Sequence, residues 1–297
     1  MHDKNMASFT EVHSEQGHLH VREDLQKVLE RSGLKRFEDW MGLPGIEFRE
    51  VSMRPTRPVV ALDIGDLPHA LFLKRHLEAP RVESFLERTG IVSAQCEAVK
   101  EFSKLHLFTK AGIKVPEVVA WGEGTWEGVR NASFLATFDL EALPLERYLF
   151  HNWKPPVKAA MAIDKRGVIK ALAALTRRMH GAGLVHRDFY LGHVFIHGNG
   201  ENCSLSVIDV QRASQRPSWW LRSRIKDLAS LHFSSDPQFI RTGDRLVFLK
   251  TYWETSRFRL WHRLLILWIE RKAARIRRHT EKSMGIPYQD FFENKYY

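Results

Sequence analysis

Cysteine is scarce: Cys96 and Cys203 are the only two in 297 residues. So distant a pair offers neither a disulfide framework nor metal-ligand spacing, which suits a reducing compartment. Long apolar runs are missing too, the longest being Leu264 to Ile269, far short of a bilayer span. The opening MHDKNMASFT lacks the apolar segment of a signal peptide, so the chain is expected to be made and kept in the cytoplasm. No repeat or collagen-like period occurs, and an apolar content of 44% is enough for one large domain or two lobes with sizeable cores. Acids are outnumbered, leaving a net charge of +10, and the excess is local. Between Arg257 and Lys282 nine bases face only Glu270 and Glu281, which places +7 in one C-terminal stretch. Such a block points to an anionic surface: phospholipid head groups, a phosphorylated glycolipid or nucleic acid.

What is present divides into two halves. Residues 1–20 are polar, with His2, His13, His18 and His20 among Ser, Gln and Gly, and are expected to form a poorly ordered tail. Read along the chain, His18-x-His20 has no acid or cysteine to complete a tetrahedral set, so no metal site is expected there. A helix from about Arg22 to Arg31 follows, with Val21, Leu25, Val28 and Leu29 on one face and a stop at Ser32-Gly33. Three strand-like segments come next, Ile46 to Met53, Val59 to Ile64 and Ala70 to Lys74, and the third is an apolar strand closing on a lysine. A helix-like segment from Ser93 to Lys110 carries Glu97 and Glu101, either of which can pair with that lysine. Val118 to Trp121 and Ser133 to Phe138 add two strands, so residues 21–139 read as a small five-stranded lobe with one helix and a preceding helix.

Residues 140–283 read as a larger, mostly helical lobe, and 284–297 as a C-terminal tail. Leu145 to Phe150 is a short helix, and Asp164 to Gly181 a long one with apolar positions Val168, Leu172, Leu175 and Met179. The long helix delivers the chain into Leu184-Val185-His186-Arg187-Asp188. After a four-residue spacer His193 opens the run Val194-Phe195-Ile196, and a Gly/Asn turn leads to a second short strand, Leu205 to Ile208, ending on Asp209. Phosphoryl transfer needs two carboxylates so delivered: one accepts or orients the proton of an attacking hydroxyl, the other holds the Mg²⁺ that neutralises the phosphates. Asp188 takes the first role and Asp209 the second. Asp227 either braces this loop from beneath or lies exposed on its helix.

The run resembles the protein-kinase catalytic loop, H-R-D-L-x-x-x-N followed by D-F-G, with His193 at the Asn position and Asp209-Val210-Gln211 in place of D-F-G. The resemblance implies an α+β, bilobal protein-kinase-like fold. In it Lys74 grips the α and β phosphates of ATP, Asp139-Leu140-Glu141 connects the lobes, and the lysine and both aspartates converge on one triphosphate. More narrowly, over roughly residues 45 to 255, the chain resembles the bacterial lipopolysaccharide-core kinases that act on heptose and Kdo sugars. The likeness lies in Phe72-Leu73-Lys74-Arg75-His76, Glu101-Phe102 to Ala111-Gly112-Ile113 with Pro116, HRDFYLGHVFI, Ile208-Asp209-Val210-Gln211-Arg212 and Lys226-Asp227-Leu228-Ala229. That spacing selects Glu101 over Glu97, and HRDFY favours the heptose kinases.

The family implies ATP- and Mg²⁺-dependent phosphorylation of a sugar hydroxyl on the lipopolysaccharide inner core, at the cytoplasmic face of the inner membrane. Kdo, a small metabolite or a protein is the alternative acceptor. A catalytically dead membrane-binding module is opposed by the retention of Lys74, Asp188 and Asp209. Two departures matter. No G-x-G-x-x-G covers the phosphates, so Arg54 and Arg57 must do so by side chain. His193 is a softer ligand than a carboxamide for Mg²⁺ and is assigned to phosphate contact. With no A-P-E between Val210 and Lys226, Arg187 is given a structural role, and His186 a packed one. Leu264 to Ile269, apolar all round, is expected to be buried. Arg271 to Lys282, with Arg257 and Arg259, is expected to hold the enzyme at the anionic membrane, and no nucleic acid partner is expected.

Overall fold

The computed structural model describes residues 7–77, 96–153, 159–198, 202–216, 219–285 and 287. The chain divides into two compact units, residues 1–106 with 116–140, and residues 107–115 with 141–297.

The first unit is built on a seven-stranded antiparallel sheet. Its strands are β1 (Phe9–His13), β2 (Gly17–Arg22), β3 (Phe48–Arg54), β4 (Arg57–Leu62), β5 (Leu71–His76), β6 (Val118–Trp126) and β7 (Val129–Phe138). The order is β1-β2-β6-β7-β5-β4-β3. Alternation decides which side chains go where. Leu19, Val21, Val60, Leu73, Phe134 and Ala136 turn to one face, where α1 (Gln26–Arg31) and α2 (Phe37–Gly42) complete the core. Trp40 of α2 lies flat on Phe134, ring centroids 5.1 Å apart. The other face carries a transverse row fixed by strand register, Lys74 beside Leu135, then Trp121, His20 and Glu11. Here α3 (Glu97–Lys110) sets Phe102 against Trp121 and Phe9, each at 5.6 Å.

Where β2 meets β6, three positions beneath the Phe37 ring are glycine. A Cβ on Gly17, Gly122 or Gly124 would come within 3.0, 3.1 or 2.9 Å of the Phe37 ring. On Gly17 and Gly124 it would also lie 2.3 and 2.1 Å from the carbonyl oxygens of Glu123 and Gln16.

Residues 9–22 correct the expectation of a disordered tail over 1–20, and give the sheet seven strands rather than five. The reason is one-sided burial: Val12, Leu19 and Val21 pack on the core, while the polar residues between them face away. A half-exposed edge hairpin has the composition of a tail. The α+β class stands. The first helix starts at Gln26, four residues later than its apolar spacing suggested, because β2 runs through to Arg22. Residues 93–95, assigned to the helix that carries Glu101, lie outside the described residues.

In the second unit β8 (Leu143–Pro144), β10 (Val194–His197) and β11 (Ser204–Val207) form a small sheet in the order β11-β10-β8. The helices are α4 (Leu145–Trp153), α5 (Ala159–Gly181), α6 (Trp220–Ser234), α7 (Thr242–Tyr252) and α8 (Leu260–Met284). Between α5 and β10, β9 (Leu184–Val185) pairs with β12 (Ser214–Gln215). Ala173, Ile225, Ala229, Tyr252, Ile269 and Ala273 are buried together, tying α5, α6, α7 and α8.

The expected burial of Leu264 to Ile269 is wrong. Only Ile269 of that run is buried, whereas Leu264 is 59% exposed, Leu267 49% and Trp268 41%, with Leu260 and Trp261 also open to solvent. Helical geometry explains the outward stripe: at 3.6 residues per turn, Leu260, Leu264, Leu267, Arg271, Arg275, Arg278 and Lys282 share one face of α8. Among the described residues, no helix is long and apolar enough to cross a membrane. Of the C-terminal tail assigned to 284–297, residues 286 and 288–297 lie outside the described residues.

Candidate active site

In the first unit the pleat of β5 sends Leu71 and Leu73 into the core and Lys74 to the opposite face. There Lys74 Nζ donates to Glu101 Oε1 at 2.6 Å, and Arg57 Nη2 stands 3.9 Å from Glu101 Oε2. Glu101 is only 2% exposed. Burying a lone carboxylate would cost several kcal/mol, and the two cations offset part of that cost. Glu97 pairs instead with Lys100 at 2.9 Å on the exposed side of the helix. His76 is buried nearby; burial first, and then the charge of Arg57, push its imidazole down to about 4, so it is neutral near pH 7. Arg54 faces Arg57 across the β3–β4 hairpin but is exposed and, among the described residues, makes no ion pair.

In the second unit α5 ends at Gly181, and Gly183, with φ +80°, turns the chain into β9. Two residues that follow, Arg187 at φ 72° and Asp209 at φ 54°, hold left-handed backbone that only glycine adopts freely. Each costs about 1–3 kcal/mol, so the surroundings must impose it. At Arg187 the cause is Asp227, fully buried at the side of α6. Its carboxylate accepts the backbone N–H groups of His186 and Arg187 at 2.8 and 2.6 Å, and lies 3.3 Å from His180 Nε2. His186 in turn donates from Nε2 to the carbonyl of Ile208 at 2.9 Å, which ties the loop to the segment ending at Asp209. Burial lowers the pKa of both His180 and His186. Of the two readings of Asp227, the buried brace is the one found.

The Asp188 side chain is 19% exposed and held by two cations: Arg212 Nη1 donates to Oδ2 at 3.1 Å and Lys226 Nζ to Oδ1 at 3.3 Å. His193 Nδ1 lies 2.8 Å from the Asp188 carbonyl oxygen. A carbonyl only accepts, so Nδ1 carries the hydrogen and Nε2 is the ring nitrogen left for another partner. That atom is 4.0 Å from Asp209 Oδ2. Lys74, Arg57 and Glu101 thus form one cluster in the first unit, and Asp188, His193 and Asp209 another in the second. Arg54 joins neither by contact. Arg212 and Lys226 were given no role from the sequence; the signal for them was their place three residues after Asp209 and next to the buried Asp227.

A strand lysine salt-bridged to a buried helix glutamate, and an aspartate loop braced from below, belong to a protein-kinase-like fold and define a phosphotransferase with an alcohol acceptor. The sequence pattern described as "Lipopolysaccharide kinase (Kdo/WaaP) family" matches residues 91–252, and the chain belongs to that family. It is 32% identical over 228 residues to the lipopolysaccharide core heptose(I) kinase WaaP of Escherichia coli, a match covering 74% of this chain and 82% of that one. To the WaaP of Pseudomonas aeruginosa it is 31% identical over 188 residues, 60% of this chain and 68% of that one. A solved structure described as WaaP in complex with acyl carrier protein superimposes with a TM-score of 0.62 at 26% identity, covering 86% of this chain and 98% of that one.

Proposed function

We propose that this protein transfers the terminal phosphoryl group of ATP to a heptose hydroxyl of the lipopolysaccharide inner core, at the cytoplasmic face of the inner membrane. The observation that carries the reading is the Asp188 carboxylate, pinned by Arg212 and Lys226 beside the His193–Asp209 pair. Asp188 orients the acceptor hydroxyl and takes its proton as the O–P bond forms. Lys74, positioned by Glu101, binds the nucleotide phosphates, with Arg57 and the exposed Arg54 as further cations for the same charge. Asp209 offers a hard carboxylate oxygen that fits a divalent cation such as Mg²⁺ with water completing the shell, while His193, 4.0 Å from it, is the softer donor and is left for phosphate contact. When bound, that ion neutralises phosphate charge.

The reaction is tested directly by incubating the protein with ATP, Mg²⁺ and core-truncated lipopolysaccharide and analysing the product by mass spectrometry. One phosphate is expected on a heptose. Phosphate on Kdo, or transfer to a small metabolite or protein but not to the glycolipid, defeats the proposal.

The exposed face of α8 supports peripheral attachment at the membrane that holds such an acceptor. Leu260, Leu264, Leu267 and Trp268 provide an apolar patch to enter the interface, and Arg271, Arg275, Arg278 and Lys282 continue it with charge for anionic head groups. A second reading is favoured by the solved WaaP complexed with acyl carrier protein. The second unit holds an apolar cavity of about 220 Å³, lined by Leu149, Val168, Leu172, Leu228, Phe248 and Ile269 among others, that suits part of an acyl chain. A Leu264→Glu/Trp268→Glu variant separates the two. Flotation with phosphatidylglycerol vesicles is expected to fall at least about tenfold, since two interfacial apolar anchors are lost. Unchanged flotation, with loss of an acylated carrier protein in gel filtration, would assign the face to the carrier.

A further inference from the structure

The N-terminal hairpin brings together four Lewis bases that no step of phosphoryl transfer uses. Strand register places Glu11 directly opposite His20, and His13 directly opposite His18. Positions two apart on a strand share a face, so all four side chains leave the same side of the β1–β2 ribbon. Their distances agree. Glu11 Oε1 is 3.7 Å from His13 Nε2, 3.6 Å from His18 Nδ1 and 3.8 Å from His20 Nε2. His13 Nδ1 and His18 Nδ1 approach to 2.7 Å. One ligand atom from each of Glu11, His13 and His18 falls within 4.8 Å of the others. The expectation that His18-x-His20 lacks partners is thereby corrected: the acid and the third imidazole come from the preceding strand.

We propose that Glu11, His13, His18 and His20 form a binding site for a borderline divalent transition ion, Zn²⁺ in the first place, distinct from the phosphate-neutralising ion of the kinase reaction. Three imidazoles and one carboxylate make a four-donor set of the kind zinc takes, with bonds of about 2.0–2.2 Å and tetrahedral ligand spacings of ~3.3 Å. Glu11, His13 and His18 already stand together, with separations of 2.7 to 3.7 Å that straddle that spacing, and His20, 3.8 Å from Glu11, turns toward the pair of imidazoles to join as the fourth donor. Imidazole-rich sets favour zinc, copper or nickel over magnesium or calcium, which prefer oxygen. The backing is rigid on one side, where His20 stacks on Trp121 with ring centroids 3.8 Å apart and planes at 15°. Such a stack fixes the orientation of a ligating ring as a second-layer hydrogen bond does elsewhere. An ion here clips the edge hairpin of the first unit closed.

The test uses full-length protein without an affinity tag, stripped with chelator and desalted, then titrated with ZnCl₂ by calorimetry and with CoCl₂ by visible absorption. The wild type is expected to bind one equivalent of zinc tightly, to show the absorption of tetrahedral cobalt and to unfold at a higher temperature when zinc is present. His13 and His18 are exposed, so the His13→Gln/His18→Gln variant should fold as the wild type does, which its unfolding midpoint without metal verifies. In it the tight equivalent and the cobalt band disappear, affinity falling at least ~100-fold, and Glu11→Gln weakens binding about tenfold. Equal zinc stoichiometry and affinity in wild type and double variant overturn the proposal, as does a wild type that binds zinc no more tightly than about 100 µM.

Discussion

Asp188→Asn is expected to lower kcat about a thousandfold, some 4 kcal/mol of transition-state stabilisation, while KM for ATP stays within about threefold. The variant keeps the shape and hydrogen-bonding reach of the side chain but cannot take the acceptor proton. Arg212 and Lys226 lose their carboxylate partner; solvent screens the loss at Arg212, which is 62% exposed, and in part at Lys226, which is 27% exposed. Exposed ion pairs are worth about 1 kcal/mol or less, and the unfolding midpoint should hardly move. Steady-state kinetics with saturating glycolipid, together with calorimetric binding of a non-hydrolysable ATP analogue, provide the check. A kcat within tenfold of wild type, with nucleotide binding intact, removes Asp188 from the chemistry and with it the mechanism proposed for this site.

Asp227→Ala should damage both stability and turnover, by a different route. Its carboxylate, itself fully buried, satisfies the N–H groups of His186 and Arg187 and faces the buried His180. Truncation leaves those donors without acceptors, at a cost of about 3–5 kcal/mol. For a chain of this size that corresponds to a drop of about 5–8 °C in the unfolding midpoint. The left-handed backbone at Arg187 also loses the contacts that impose it, so Asp188 is no longer aimed. Activity measured well below the new midpoint should fall at least about tenfold, as expected for a catalytic group displaced by an ångström. A variant that melts early but turns over normally when folded would make Asp227 a stability residue alone.

The loop from Leu184 to Asp209 was legible in the sequence because its signals are local: an apolar pair, His186-Arg187-Asp188 and two short strands lie within one contiguous run. Lys74 could be read from the end of an apolar strand. Glu101 needed family spacing, since two acids on one helix look alike until the register of α3 buries one and exposes the other. The N-terminal strands were missed because an edge hairpin shows the core only every second residue. The exposed stripe on α8 was missed for the opposite reason: six apolar residues in a row carry no periodicity, and only the packing of Ile269 and Ala273 reveals which side faces inward. Arg212 and Lys226 reach Asp188 from segments 24 and 38 residues away, and pairings of that kind are not written in local pattern.

The glycines beneath Phe37 also bear on the polar edge of the sheet. Because no side chain fits between that ring and the backbones of β2 and β6, a slip of the hairpin by one residue would drive His18 or Gln16 into the ring. Steric exclusion in the interior therefore locks the alignment, and the ladder hydrogen bonds at the rim do not have to do so alone. A histidine cluster on the solvent side inherits its geometry from a gap on the side it never touches.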